Sequence, residues 1–289
     1  MNRTFTRRSF LKTASFSIAA AASARSRLLA DDSTCAPLEE FHYGDVQLAP
    51  GPALTQFEHT QSVVLQMNVD SLLKPWRLRA GLPAPGPNMG GWYDEVPWRY
   101  TASGWQGFAP GHAFGQWISA LARGYAADHD PAKRHKIEEI LAGYGPAISG
   151  RFYANFRFPA YVYDKTVCGL IDANAFCALD PDFSLLNRTT DAAEPHLPPH
   201  ALDRDKPQLE WRASIGENTS ADYGWDEPYT LPENLFLAWH RGAGDRYQTM
   251  AARFLLDETY FDPLSEGKNV LAGHHAYSFC NALSSAMQT

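Results

Sequence analysis

One apolar stripe constrains this chain more than any other feature. Phe114, Trp117, Ile118, Leu121, Ala122 and Tyr125 recur at i, i+3, i+4, i+7, i+8 and i+11, the spacing of a helix face set against a core. The next stripe, Ile137, Ile140, Leu141 and Tyr144, follows Asp130-Pro131, a cap with proline at the first helical position. A second pair repeats the arrangement, with Leu235, Phe236, Ala238 and Trp239, a break at Gly244-Asp245, then Tyr247, Met250, Ala251, Phe254 and Leu255. Thr55–Leu73 reads as a helix ending before Lys74-Pro75. Val167, Leu170, Ile171, Asn174 and Cys177 mark another, with Asp164 as its N-cap, and a last helix starts near His274-His275. Only Val46-Gln47-Leu48 resembles a strand. Helical hairpins of similar size with an acidic turn predict an all-α fold, a toroid or solenoid of helix pairs.

The first half of Gly90–Ala127 packs Trp92, Tyr93, Trp98, Tyr100, Trp105 and Phe108 among glycines, prolines, Asp94 and Glu95. Such a run is too broken for a strand and too aromatic for an ordinary solvated loop. It enters the helix at His112 and Gln116. Aromatic faces with a few polar groups suit a sugar, because rings cover its C–H faces while amide, imidazole and carboxylate bond its hydroxyls. The candidate binding residues are Gln56, Trp92, Asp94, Trp105, His112, Glu233 and His275, all placed at loops or helix starts. Glu233 reads either as an acid–base group or as half of a capping box with Thr230. Asp172 reads as a cavity residue or as part of a solvated face. Residues 180–229 read as one long loop, functional or covering an opening.

The amino terminus carries a different message. Thr6-Arg7-Arg8-Ser9-Phe10-Leu11-Lys12, the apolar run Thr13–Ala24 and the small residues Ala22-Ser23-Ala24 form a twin-arginine export signal over residues 1–30. The expected location is therefore periplasmic or secreted. No segment has the length of apolar sequence a membrane span needs. A net charge of −7, without basic clusters after the signal, argues against nucleic acid as a partner. Four scattered cysteines, Cys35, Cys168, Cys177 and Cys280, do not make a disulfide scaffold. His275 and Cys280 are badly spaced for a shared metal, so no metal site is assigned.

Several stretches, in order, resemble glycoside hydrolase family 127, the β-L-arabinofuranosidase-like proteins. They are Val69-Asp70-Ser71-Leu72-Leu73, Arg79-Ala80-Gly81-Leu82, Gly90-Gly91-Trp92, Gly111-His112 with Trp117–Ala122, Gly169-Leu170-Ile171-Asp172-Ala173, Leu231-Pro232-Glu233-Asn234 and Gly273-His274-His275-Ala276. The resemblance implies an exported (α/α)6 catalytic domain that removes arabinofuranose-type sugars from plant glycans. It also implies sugar ligands at His275, Gln56 and His112. The family's nucleophilic cysteine, zinc-ligand cysteines and acid/base glutamate lie beyond the His-Ala segment, and this chain reaches Met287-Gln288-Thr289 soon after it. The expectation is thus an all-α, partial (α/α)6 barrel or toroid, an incomplete catalytic domain over 31–289 with no catalytic residue identified. It would hold no cofactor of its own, zinc belonging to the complete family domain, and would be inactive alone. A non-catalytic carbohydrate-binding protein and an α/α-toroid polysaccharide lyase are the alternatives. An open ring would also leave Leu255, Phe279 and Leu283 as an apolar edge for self-association.

Overall fold

The computed structural model describes residues 41–90, 93, 108–154, 159–201, 230–272 and 276–288. The export signal at 1–30 lies outside them, as do Trp92, Asp94, Trp105 and His275. The described residues are all-helical, with no strand among them. Val46-Gln47-Leu48 is irregular and exposed.

The helices are α1 (Pro52–Gln66), α2 (Val69–Ala80), α3 (Phe108–Asp128), α4 (Pro131–Tyr144), α5 (Pro159–Cys177), α6 (Ser184–Ala193), α7 (Leu231–His240), α8 (Asp245–Arg253), α9 (Asp262–Ser265) and α10 (Ala276–Met287). The expected single helix over Thr55–Leu73 is two, because Asn68 starts a new one by accepting the Ser71 N–H at 2.9 Å. Pro75, expected to end a helix, lies buried inside α2. The backbone bond it removes is offset by burial of Leu72, Leu73 and Trp76 on either side. Trp76 stacks on Phe152 with ring centroids 3.4 Å apart and meets Tyr144 edge-on at 5.2 Å, which joins α2 and α4 through one aromatic core.

Both hairpins form as expected. In the first, His129 takes a left-handed φ of 56° and Asp130 accepts the Ala132 N–H, so α4 starts within two residues of the end of α3. The second turns through Gly242 and Gly244, both at positive φ. Part of the expected loop 180–229 is the helix α6, whose buried face includes Thr189 and Thr190. Their hydroxyls bond Tyr144 and Tyr163, and Thr190 also meets Tyr247, which ties α4, α5, α6 and α8 together. The apolar edge expected at the last helices is more covered than the sequence implied. Leu255 is buried, while Phe279 and Leu283 are half-buried, with Phe279 edge-on to Tyr260.

Among the described residues, the most extensive packing joins α3 and α5. A Cβ on Gly115 would overlap the Lys165 carbonyl oxygen, one on Gly169 would strike Gly115, and one on Gly111 would strike Val162. The two backbones therefore touch, and this close crossing fixes which side chains stand beside His112.

Candidate functional site

Helix α5 carries Asp164, Cys168 and Asp172 at i, i+4 and i+8, a polar line on one face of the helix. Asp164 was expected to cap this helix. It lies instead inside it and is fully buried. Its carboxylate accepts from Lys165 Nζ at 2.9 Å, from Thr230 Oγ1 at 2.6 Å and from Asn234 Nδ2 at 2.6 Å. A buried carboxylate needs such partners to offset its lost hydration. These bonds clamp the start of α7 onto α5. They also undo the expected capping box, since Thr230 makes no cap bond to its own helix.

Lys165 extends over the Tyr161 ring, its Nζ 4.7 Å from the centroid. Burial alone would push the ammonium down, but the charge and hydrogen bond of Asp164 outweigh it and raise it. His112, in the first turns of α3, is half-buried with its imidazole 5.5 Å from the same Tyr161 ring. Burial first, then the Lys165 ammonium, push His112 below its ordinary value, with Asp164 opposing. Above that midpoint His112 is a neutral imidazole with one donor and one acceptor.

Glu233 is half-buried in the first turn of α7. Burial and the Asp164 charge hold its carboxyl above the usual range, against the nearby Ser284 hydroxyl of α10 and the charges of Lys165 and Arg123. Two turns further along α5, Asp172 is buried rather than solvated. It accepts from Ser119 Oγ at 2.5 Å and Arg123 Nε at 2.7 Å, and Arg123 also reaches the Tyr43 hydroxyl at 2.8 Å. Between the two acid–base pairs sits Cys168, whose thiol burial pushes up to about 12. Cys177 is pushed up to about 11 for the same reason. Neither is a thiolate near neutral pH, so neither is a nucleophile or a soft metal ligand there. Among the described residues no three His, Cys, Asp or Glu side chains group closely enough to hold a metal ion, so they do not form a zinc site.

Of the expected site residues, His112 and Glu233 each lie within electrostatic reach of the Asp164–Lys165 pair. Gln56 is exposed in the second turn of α1. Its neighbour Phe57 packs under the Lys133 ammonium at the start of α4, at the far end of α3 from His112. That helix separates the two by ~24 Å along its axis. An open groove of about 400 Å³ lies on that side, lined by Phe57, Glu58, Gln61, Asp128, Asp130 and Lys133. Its charges serve the fold, because Lys133 pairs with Asp128 and Asp130 caps α4. Tyr93, from the aromatic run, is buried with its hydroxyl on the Leu72 carbonyl at 2.6 Å, a packing role. Tyr161, Asp164, Lys165 and Asn234 were not expected at the site, although the i, i+4, i+8 polar line on one face of α5 was available to point to it.

Among the described residues no helix is long and apolar enough to cross a membrane. Comparison of the chain with curated proteins finds no match. Residues 45–147, which run from the Tyr43–Asp45 turn through α4 to Ala147, match the family model described as Beta-L-arabinofuranosidase, GH127 catalytic domain.

Proposed function

We propose that the chain is an exported, glycoside hydrolase-like protein that binds arabinofuranose-type sugars of plant glycans at the junction of α3, α5 and α7. The observation that carries this reading is that the segment matching the glycosidase family supplies His112, and His112 stands beside Tyr161 and within electrostatic reach of the Asp164–Lys165 pair. An imidazole and a carboxyl supply the kind of hydrogen-bonding groups that hold sugar hydroxyls. Each hydrogen bond to a sugar hydroxyl contributes about 0.5–1.5 kcal/mol net, which gives affinities in the millimolar range with so few groups. Hydrolysis through a cysteine nucleophile is not expected of α5, whose two thiols stay protonated. The lyase alternative is disfavoured. A uronate needs an unpaired cation, and among the described residues of the junction Lys165 and Arg123 already pair with Asp164 and Asp172.

The test combines a binding titration with methyl β-L-arabinofuranoside and an assay with an aryl L-arabinofuranoside. Millimolar binding without turnover is expected. Absence of binding defeats the carbohydrate reading, and turnover abolished by removing Cys168 defeats the argument from its thiol.

A further inference from the structure

The groove beside α1 has a one-sided supply of hydrogen-bonding groups. It holds about 400 Å³ between Phe57, Glu58, Gln61, Leu65, Asp130 and Lys133, within the range of about 300–1,000 Å³ usual for small-molecule sites. Its nitrogen donors are engaged inside the protein. The Lys133 ammonium, almost fully buried, pairs with Asp128. Gln61 Nε2 donates to the Ala120 carbonyl at 3.3 Å, and Gln66 Nε2 to Ser62 Oγ at 3.0 Å. Several acceptors are not engaged. Glu58 is exposed, and among the described residues it makes no ion pair or hydrogen bond. Asp130 spends Oδ1 on the Ala132 N–H and keeps Oδ2. Gln61 is only 9% exposed, yet its Oε1 has no hydrogen-bond partner. That amide lies against α3 where Gly124 has no side chain, since a Cβ there would overlap Oε1. An unpartnered oxygen at that depth is uncommon and costs the fold.

We propose that this groove binds a small organic cation, an ammonium group carried on a short alkyl stem. The site is separate from the His112 junction and does not rest on the carbohydrate reading. Charge sets the sign of the ligand. Lys133 is matched by Asp128, so Glu58 and Asp130 leave the groove with two carboxylates that no cation of its wall balances, a field that draws in positive charge. Donor count sets its chemistry. An ammonium brings three donors and no acceptor, the complement of a wall whose nitrogen donors are spent and whose oxygens are not. Glu58 and Asp130 meet the charge, with Gln61 Oε1 as the neutral acceptor at the floor. Phe57 and Leu65, both half-buried, give the stem an apolar wall. A neutral sugar is served less well, because its hydroxyl oxygens find no unspent N–H donor there. A bare metal ion is served less well too, since among the described residues no three carboxylates, imidazoles or thiols group closely enough to hold one.

The experiment titrates the full chain with n-butylammonium chloride and follows the NMR shifts of Phe57, Gln61 and Lys133. Two parallel titrations use n-butanol, the same stem without the charge, and potassium chloride at matched ionic strength. Saturable shifts with butylammonium and none with the other two are expected. Glu58→Gln removes an exposed charge that supports no contact of the fold. Asp130→Asn removes the second charge and keeps a side chain that caps α4. Each variant should bind butylammonium about threefold more weakly, the effect of losing one exposed ion pair, and added salt should weaken wild type as well. The wild-type titrations decide the matter without any variant. Equal shifts with butanol would show that the groove takes only the stem, and equal shifts with potassium chloride would show only screening. Either result, no saturable shift at all, or an affinity unchanged in both variants would overturn the proposal.

Discussion

Asp164 is the residue on which the site's geometry depends. Its carboxylate meets one ammonium and two neutral donors in a place closed to water. Asp164→Ala leaves Lys165 nearly buried without its counter-charge and frees the start of α7, a loss of about 3–5 kcal/mol. Denaturant unfolding of the variant measures it, and a loss below about 1 kcal/mol would show that the clamp is not holding the helices. The two titrating site residues predict opposite pH effects. Glu233 has a raised folded midpoint, so its contribution is fully present below about 4.5 and is lost as pH rises through that midpoint. Glu233→Gln should therefore gain thermal stability relative to wild type only on the alkaline side. His112 has a lowered folded midpoint, so its contribution is present above about 6.5 and lost as pH falls. His112→Gln should gain relative stability on the acid side, and melting curves across pH for the three proteins check both signs. The sequence named His112 and Glu233 but took Asp164 for a helix cap. Capping and clamping use the same chemistry, a carboxylate accepting from nearby donors, and the donors here lie 66 and 70 residues further along the chain.

At the scale of elements, the α3–α5 crossing decides what stands beside His112. Gly115→Ala places a methyl group in the Lys165 carbonyl of the partner helix, which neither backbone can yield without separating. The expected loss is about 3 kcal/mol or more, at or above the upper range for an overpacked core. The change should also weaken sugar binding, because Tyr161 and Lys165 move away with α5. Gly143→Ala is the control. Its new methyl group meets the flexible end of Leu73 rather than backbone, and alanine's better helix propensity offsets the crowding to within about 1 kcal/mol. Calorimetry on the two variants distinguishes them, and similar melting points would contradict the backbone contact. The stripes that begin at Phe114, Ile137 and Tyr247 were legible because burial follows helical period. The division of 55–73 into two helices was signalled by Asn68, which was read past. Helix α6 was missed because half its buried face is threonine, polar in composition but satisfied inside the core by Tyr144 and Tyr163.

At the scale of the molecule, the all-helical architecture and its paired hairpins were legible, since each hairpin announces its own turn. The grouping of polar residues was not, because it depends on how α3, α5, α7 and α10 meet. The central claim is that a sugar binds where the glycosidase-like segment, through His112, joins the Asp164–Lys165 pair and Glu233. The groove beside α1 is a concave place among the described residues that a small ligand fits, and it offers a direct contrast. Chemical-shift mapping of the full chain during titration with methyl β-L-arabinofuranoside separates the two. The account predicts saturable shifts centred on His112, Tyr161, Lys165 and Glu233, and shifts confined to Phe57, Gln61 and Lys133, or no shifts at all, would contradict it.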